Sequence, residues 1–512
     1  MKIFCKDYNL FKELSLKVMK GFGGKNQSKK EKIYKNKQKV NIIQLLNKGF
    51  ELQAQGRKLE AAKYYAYLIK KGIKEYRVFS NYGALLNEIG KHEEAELELK
   101  KAISLNPKYG NAYYNLGVLY MGQGNFEKAE LEFKEAIKIK PDFTIAYYNL
   151  GFILRNLGRF KEAESFNQKT LEINPQFTDA YFILSTMQAS DKTQKWHEQL
   201  FSENLLKNKN NKELVNIYFA RSNILHKEQN YEESSRYLKL ANKLKLDLNP
   251  SKPEIIFNKS KLLLIESNKK GIIQEKRANS PESIFIVGMF RSGSTLLESI
   301  LSMRTDVYDL GEIDFLEKSF FESRKSKPEI NLSYLYWKKL NNKTKLNITT
   351  NKNLFNYQFT GIIAKNIPNA KIIHCFRHPF DNILSIYRAH FTGGNEYSSS
   401  LIDSAKVYLD QEELMTYYKN RFRSKIYDFN YDSLVSNPNQ EIKSLISWLG
   451  WKWEDKYLSP HLNPRSVTTA SNVQVRSPIN AKSLGGWKNY KEMLRPAMEI
   501  ITQKDKYKDL KY

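Results

Sequence analysis

A 34-residue period running from about residue 41 to residue 185 constrains the fold of this chain more than any other feature. Gly83, Gly117 and Gly151 fall in register, as do Asn81, Asn115 and Asn149. Ala95, Ala129 and Ala163 share a register, followed by Ala102, Ala136 and Thr170, then by Pro107, Pro141 and Pro175. A weaker earlier copy is marked by Gly49, Ala61 and Leu68, and a diverged later one by Ser222, Ser234 and Ala241. A period of this length points to a stack of like units.

The register resembles the tetratricopeptide repeat. That resemblance implies two antiparallel helices per unit, small residues where the helices cross closely, and a Pro ending the second helix. Residues 41–250 are therefore expected to form an α-solenoid, with the best repeats over 76–185 and irregular stacking around 186–212. Such a solenoid exposes a concave surface suited to a peptide or protein partner. The paired tyrosines Tyr113, Tyr114, Tyr147 and Tyr148 suit either that surface or plain helix packing.

The second half of the chain follows different rules. Ile284–Val287 reads as a buried strand, Gly288 and Gly293 bound a turn, and a helix opens at Ser294-Thr295. Backbone N–H groups and a helix N-terminus then converge on one point, the layout of a phosphate cradle. The spacing Gly288-x4-Gly293 matches the nucleotide-triphosphatase loop, but Ser294 stands where that loop demands Lys and the nearest cation is Arg291. Ordinary ATP or GTP hydrolysis is thereby disfavoured. A second apolar strand, Lys371–Phe376, ends in Arg377, with Ser385 eight residues later on the next helix. Arg offers a forked donor and the hydroxyl a directed bond to a second phosphate. Strands alternating with helices, with anion loops at strand ends, predict an α/β P-loop-type domain with a doubly wound parallel sheet.

Phe290-Arg-Ser-Gly-Ser-Thr295 resembles the 5′-phosphosulfate loop of sulfotransferases that use 3′-phosphoadenosine-5′-phosphosulfate (PAPS). Over roughly residues 276–512 this resemblance implies that Arg291, Ser292, Gly293, Ser294 and Thr295 hold the phosphosulfate. It implies likewise that Arg377 and Ser385 hold the 3′-phosphate. Within the family the chain is most similar to the tyrosylprotein sulfotransferase branch, whose Gly-Glu pair matches Gly311-Glu312 and makes Glu312 the general base. Lys352 in Thr350-Asn-Lys would stabilise charge on the leaving phosphate, and Tyr431 would contact the adenosine. The Ser471–Asn480 stretch resembles a loop closing over the cofactor, with Ser471 at the sulfate and Gln474 and Arg476 at the nucleotide. Gly486 stands where the family commonly has Lys, and Lys488 is the candidate replacement. The implied reaction is sulfuryl transfer from PAPS to an acceptor hydroxyl, with a tyrosine or other protein group among the candidates and the repeats recruiting the acceptor. A P-loop kinase-like phosphotransferase and a nucleotide-binding repeat scaffold without turnover remain open alternatives.

The formal net charge of +28 suits anionic partners, but no nucleic-acid motif accompanies it. Two cysteines, Cys5 and Cys375, exclude a disulfide framework, and the seven His residues lack ligand spacing, so no metal is expected. No stretch approaches the length of an apolar transmembrane segment. The expected setting is cytoplasmic, as in bacterial fusions of repeats to a sulfotransferase. The expected layout is a basic flexible lead over 1–40, the solenoid over 41–250, a junction over 251–280 with a helix at 253–266, and the sulfotransferase domain over 281–512.

Overall fold

The computed structural model describes residues 43–187, 195–269, 280–326, 330–391, 393–469 and 471–510. The basic lead, Cys5, and parts of the 186–212 and 251–280 stretches lie outside the described residues. The chain divides into two compact units, Met1–Ile153 and Leu154–Tyr512. That division falls inside the helix Thr144–Asn156, so the repeats are shared between the units.

In the first unit, helices pair as the period requires: 43–54 with Lys58–Lys70, Tyr76–Glu88 with His92–Leu105, and Gly110–Gly122 with Phe126–Ile139. The in-register glycines leave room for the partner helix. A Cβ on Gly83 would lie 2.7 Å from Leu99 Cγ, and one on Gly117 would lie 2.7 Å from Phe133 Cε1. Ala95, Ala102, Ala129 and Ala136 are fully buried at the same crossings. The in-register asparagines tie neighbouring repeats together: Asn115 Nδ2 donates to Ser80 Oγ at 3.1 Å, and Asn149 Nδ2 to Tyr114 OH at 3.3 Å. Tyr114 packs against Phe133 and Phe143, with ring centroids 5.8 and 5.0 Å away, so this tyrosine serves packing.

The second unit opens with further repeat helices, Phe160–Ile173, Thr178–Thr186, Lys195–Phe201, Asn211–Lys227 and Tyr231–Leu248. Ser222 and Ser234, the diverged register positions, face each other at 2.9 Å between buried hydroxyls. The helix Pro253–Asn268 starts on the expected Pro and packs into the α/β core through Leu263. Gln358 Nε2 fixes it by donating to Ile256 O and Ser260 Oγ, both at 3.0 Å.

Five parallel strands follow: β1 Glu282–Gly288, β2 Val307–Asp309, β3 Ile348–Asn351, β4 Ala370–Phe376 and β5 Ile426–Asn430, in the order β2-β3-β1-β4-β5. Strands buried on both faces read as continuous apolar runs, and Phe285-Ile-Val287 and Ile372-Ile373 do. Phe285, Val287 and Ile372 meet Leu316, Tyr336, Ile363 and Met415 on one face. Ile284, Ile286, Ile373 and Cys375 meet Leu297, Ile300, Leu445 and Leu449 on the other. Helices on both faces make the sheet doubly wound. Strand β1 sits at the centre, between β3 and β4, so the loop at its carboxyl end opens where such sheets bind nucleotides.

The last repeat helices share a core with the α/β domain. Val215, Phe219, Leu238 and Ala241 pack with Phe380, Ile383, Leu384, Tyr387 and Leu494. Polar contacts run along the same seam, including Asn242 Nδ2 donating to Tyr387 O at 3.0 Å and His390 Nε2 to Asn216 Oδ1 at 3.0 Å. Among the described residues, no helix is long and apolar enough to cross a membrane.

Candidate functional site

The loop after β1 is shaped by two close approaches. A Cβ on Gly288 would strike Cys375 O at 2.2 Å, and one on Gly293 would strike Tyr431 Cδ2 at 2.3 Å. Between them Arg291 adopts φ +66°, a left-handed conformation that costs a non-glycine residue about 1–3 kcal/mol and gathers at functional sites. Two bonds brace the turn: Ser292 Oγ donates to Met289 O at 2.7 Å, and buried Asn382 Nδ2 donates to Phe290 O at 3.0 Å. The helix Ser294–Leu301 then begins with no side chain capping its first turn, with Ser294 and Thr295 buried. The first N–H groups of a helix have no intrahelical acceptor, and helix N-termini are in general suited to anions.

Arg291 draws together residues that lie far apart in the chain. Its Nε donates to Ser385 Oγ at 3.1 Å, one Nη to Gln474 Oε1 at 2.9 Å, and the other Nη to Ser471 Oγ. Ser385 thus meets the loop arginine directly, whereas the sequence grouped it with Arg377 alone. Burial, then the nearby Arg377 and Arg388, push the Arg291 pKa down to about 10. Burial disfavours the charged form first, and the two neighbouring guanidinium groups add to it.

Arg377, at the carboxyl end of β4, is only 6% exposed. One Nη donates to Ser483 O at 2.9 Å, the guanidinium lies 4.7 Å from the Tyr431 ring centroid, and Asp432 Oδ1 and Asp381 Oδ2 approach no closer than 3.9 and 4.0 Å. Its Nε is buried without an acceptor. A buried charged donor left open is costly unless a ligand completes it. Tyr431 OH pairs with Ser483 Oγ at 2.8 Å, so Tyr431, Arg377 and the 483–488 turn form one wall. Asp381 holds that turn by accepting from Gly485 N at 2.8 Å and Trp487 N at 2.9 Å. Lys488 lies exposed on it.

Glu312 and Lys352 come together across the ends of β2 and β3. Lys352 Nζ donates to Glu312 Oε1 at 2.7 Å, and Lys352 N donates to Gly311 O at 2.9 Å. Lys352 is 1% exposed while the Glu312 side chain is 45% exposed, so the carboxylate faces solvent and the ammonium backs it. Behind them sits Glu298, 2% exposed, with Oε2 at 3.9 Å from Lys352 Nζ and 3.1 Å from an Arg465 Nη. Arg465 also pairs with Asp309, and Thr350 Oγ1 donates to Glu298 Oε1 at 3.3 Å.

Arg476 is the one nucleotide candidate turned elsewhere: its two Nη atoms donate to the carbonyls of Asn463 and Arg465. Sequence reasoning missed Glu298, Asp381, Asn382 and Arg465. Asp381 and Asn382 follow Arg377 closely, but an acid in a first helical turn reads as a cap, and the bonds to residues 290, 485 and 487 leave no local trace. Among the described residues no group of His, Cys, Asp and Glu is arranged to hold a metal.

Residues 330–455 match the model of the sulfotransferase family, a span containing Lys352, Arg377, Ser385 and Tyr431. Residues 110–143, 144–177 and 215–248 match tetratricopeptide repeat models, and 83–124 match a further repeat model. The matched segments are thus similar to tetratricopeptide repeats and to a sulfotransferase-family domain. An uncharacterised protein of Aquifex aeolicus (strain VF5) is 28% identical over 315 residues, covering 56% of this chain. This chain spans 41% of that relative's length. Among solved structures, the sulfotransferase domain from the curacin biosynthetic pathway is 18% identical, covering 44% of this chain and 98% of its own, with a TM-score of 0.33. That from the Synechococcus PCC 7002 olefin synthase is 15% identical, covering 46% and 98%, with a TM-score of 0.34. MamA is 20% identical, covering 40% and 97%, with a TM-score of 0.26.

Proposed function

We propose that the chain transfers a sulfuryl group from PAPS to an acceptor hydroxyl. The observation that carries the reading is the under-neutralised arginine cluster: Arg291 bonded to Ser385, Ser471 and Gln474, beside an Arg377 whose buried Nε lacks an acceptor. A site of that kind fits a ligand with two separate anionic groups, and the missing loop Lys argues against a nucleoside triphosphate. When bound, PAPS supplies the sulfuryl group. Arg291, Ser292, Gly293, Ser294 and Thr295 are assigned to the phosphosulfate, and Arg377 with Ser385 to the 3′-phosphate. Tyr431, Gln474 and Lys488 are assigned to the nucleotide walls.

Glu312 takes the proton of the acceptor hydroxyl as its oxygen forms the bond to sulfur. Its open face suits that role, since the acceptor must arrive from solvent. Lys352 holds the other side of the carboxylate and supplies positive charge where the leaving oxygen becomes negative, with Ser471 as a further donor. The half-exposed position of Glu312 agrees with a bulky acceptor such as a peptide hydroxyl, and the repeats are assigned to its recruitment.

Calorimetric titration with adenosine 3′,5′-bisphosphate against adenosine 5′-monophosphate tests the cofactor class. Binding that depends on the 3′-phosphate is the expected result. Equal or absent binding of the two nucleotides overturns the proposal.

A further inference from the structure

Residues 463–469 and 471–476 lie against the anion loop with no strand of their own, and their one helical turn is Gln474–Arg476. A segment without its own ladder must take its position from neighbours. Towards the loop, Arg465 donates to Thr295 O at 3.3 Å and Ser299 Oγ at 3.0 Å, and Thr469 meets Thr295 at 3.2 Å between hydroxyls. Ser471 and Gln474 take two of the Arg291 donors. The opposite side of the segment is held by the repeats.

There, at the end of the helix Thr144–Asn156, Asn156 makes two bonds to it. Its carbonyl accepts from Val467 N at 3.0 Å and its Oδ1 accepts from Asn472 Nδ2 at 2.9 Å. Asn156 and Asn472 are both buried. Two residues on, Gly158 presses against Arg476: a Cβ there would lie 3.1 Å from Arg476 Nε. Arg476 in turn binds the carbonyls of Asn463 and Arg465, closing the segment on itself. All these residues belong to the second compact unit.

We infer that Asn156 is a positioning residue of the nucleotide site, acting through Asn472 and Val467 to hold Ser471 and Gln474 on Arg291. The repeat turn at 156–158 is then part of the sulfotransferase site. This rests on the sulfotransferase reading for the identity of the ligand, though the clamp itself does not. It also accounts for Arg476, whose side chain serves the fold of the closing segment.

The test compares the wild-type chain with Asn156→Ala, Asn472→Ala, the double variant, and Asn167→Ala as a control. Asn167 is buried within the repeat helix Phe160–Ile173, donating to Ala163 O at 2.7 Å. Apparent affinity scales with the fraction of molecules whose site is already assembled, so each clamp variant should bind adenosine 3′,5′-bisphosphate about tenfold more weakly. The double variant should be no worse than either single one, because both remove the same contact. Peptides covering 463–476 should exchange amide hydrogen faster in the nucleotide-free clamp variants, and neither readout should move in Asn167→Ala despite a lower Tm. Unchanged affinity in Asn156→Ala while the wild type binds overturns the clamp, as does an equal loss in Asn167→Ala. If the wild type itself does not bind, the sulfotransferase reading fails and exchange alone judges the clamp. Unchanged exchange over 463–476 then overturns it.

Discussion

The two sides of the candidate site balance charge in opposite ways. Around the loop after β1, Arg377 and Arg388 lie close enough to add to the burial that lowers the Arg291 pKa, and the acids near Arg377 stay 3.9 Å or more away. At the other side, Lys352 and Arg465 are matched by Glu312, Glu298 and Asp309 within one connected network. The first arrangement stores an unmet demand for negative charge, which a ligand can satisfy. The second satisfies itself and fixes one carboxylate in place. A protein can therefore keep binding and positioning separate within one domain, by leaving one set of charges open and closing the other.

Removing groups from each side sharpens that contrast. The largest effect is expected for Glu312→Gln, which keeps a hydrogen-bond acceptor for Lys352 but no base. Turnover should fall about 10²–10⁴-fold, the usual range for a lost general base, while calorimetric affinity for adenosine 3′,5′-bisphosphate stays near the wild-type value. Loss of nucleotide binding in that variant would place Glu312 among the binding groups instead.

Glu298→Ala comes next. It leaves buried Lys352 and Arg465 short of counter-charge, so denaturant unfolding should show a loss of about 3–5 kcal/mol. A loss below about 1 kcal/mol would show the network to be dispensable and the contrast false. Arg377→Ala should behave in the reverse manner: stability near wild type, and affinity for the bisphosphate down by about 1.5–3 kcal/mol relative to adenosine 5′-monophosphate. Equal weakening of both nucleotides would remove Arg377 from the 3′-phosphate site.

The smallest effect concerns the seam between the last repeat and the α/β domain. His226 Nε2 lies 3.0 Å from an Arg388 Nη and must accept there, so its Nδ1 carries the proton and donates to Tyr490 OH at 2.8 Å. Burial, then Arg388, push its pKa down from 6.5 to about 3. The unfolded chain takes up this proton as pH falls through about 6.5, whereas the folded chain refuses it until about pH 3. Stability contributed by neutral His226 is thus full above pH 6.5 and is lost as pH falls towards 3. His226→Gln should flatten the fall in unfolding free energy between pH 7 and pH 4. An unchanged slope would assign the acid sensitivity to other groups.

Much of the fold was legible in the residues. β1 and β4 were marked by Ile284–Val287 and Lys371–Phe376; β1 adds two residues before its run and one after, and β4 adds one before. Helix pairs followed from the 34-residue register together with its resemblance to the tetratricopeptide repeat, even in the diverged repeat where Ser222 meets Ser234. The strands β2, β3 and β5 were not marked, because Val307–Asp309 is too short and Ile348-Thr-Thr-Asn351 too polar to stand out from loops. In the site, the loop glycines were legible because Gly288-x4-Gly293 is a short-range spacing, although the atoms they make room for, on Cys375 and Tyr431, lie far along the chain. Glu298 was not, since its partners Thr350, Lys352 and Arg465 lie 52, 54 and 167 residues away.

The sequence by itself determined the repeat period, the buried strands β1 and β4 and the glycine-bounded turn after β1, because periodicity, apolar runs and glycine spacing are short-range patterns. Only the tertiary structure decided that Arg291 bonds Ser385, Ser471 and Gln474, that Arg476 is spent on the carbonyls of Asn463 and Arg465, and that Asn156 braces the segment carrying Ser471. Those outcomes depend on which surfaces meet when the last repeats share a core with the sheet domain. Hydrogen bonds reach about 3 Å and leave no signature along a chain that returns hundreds of residues later.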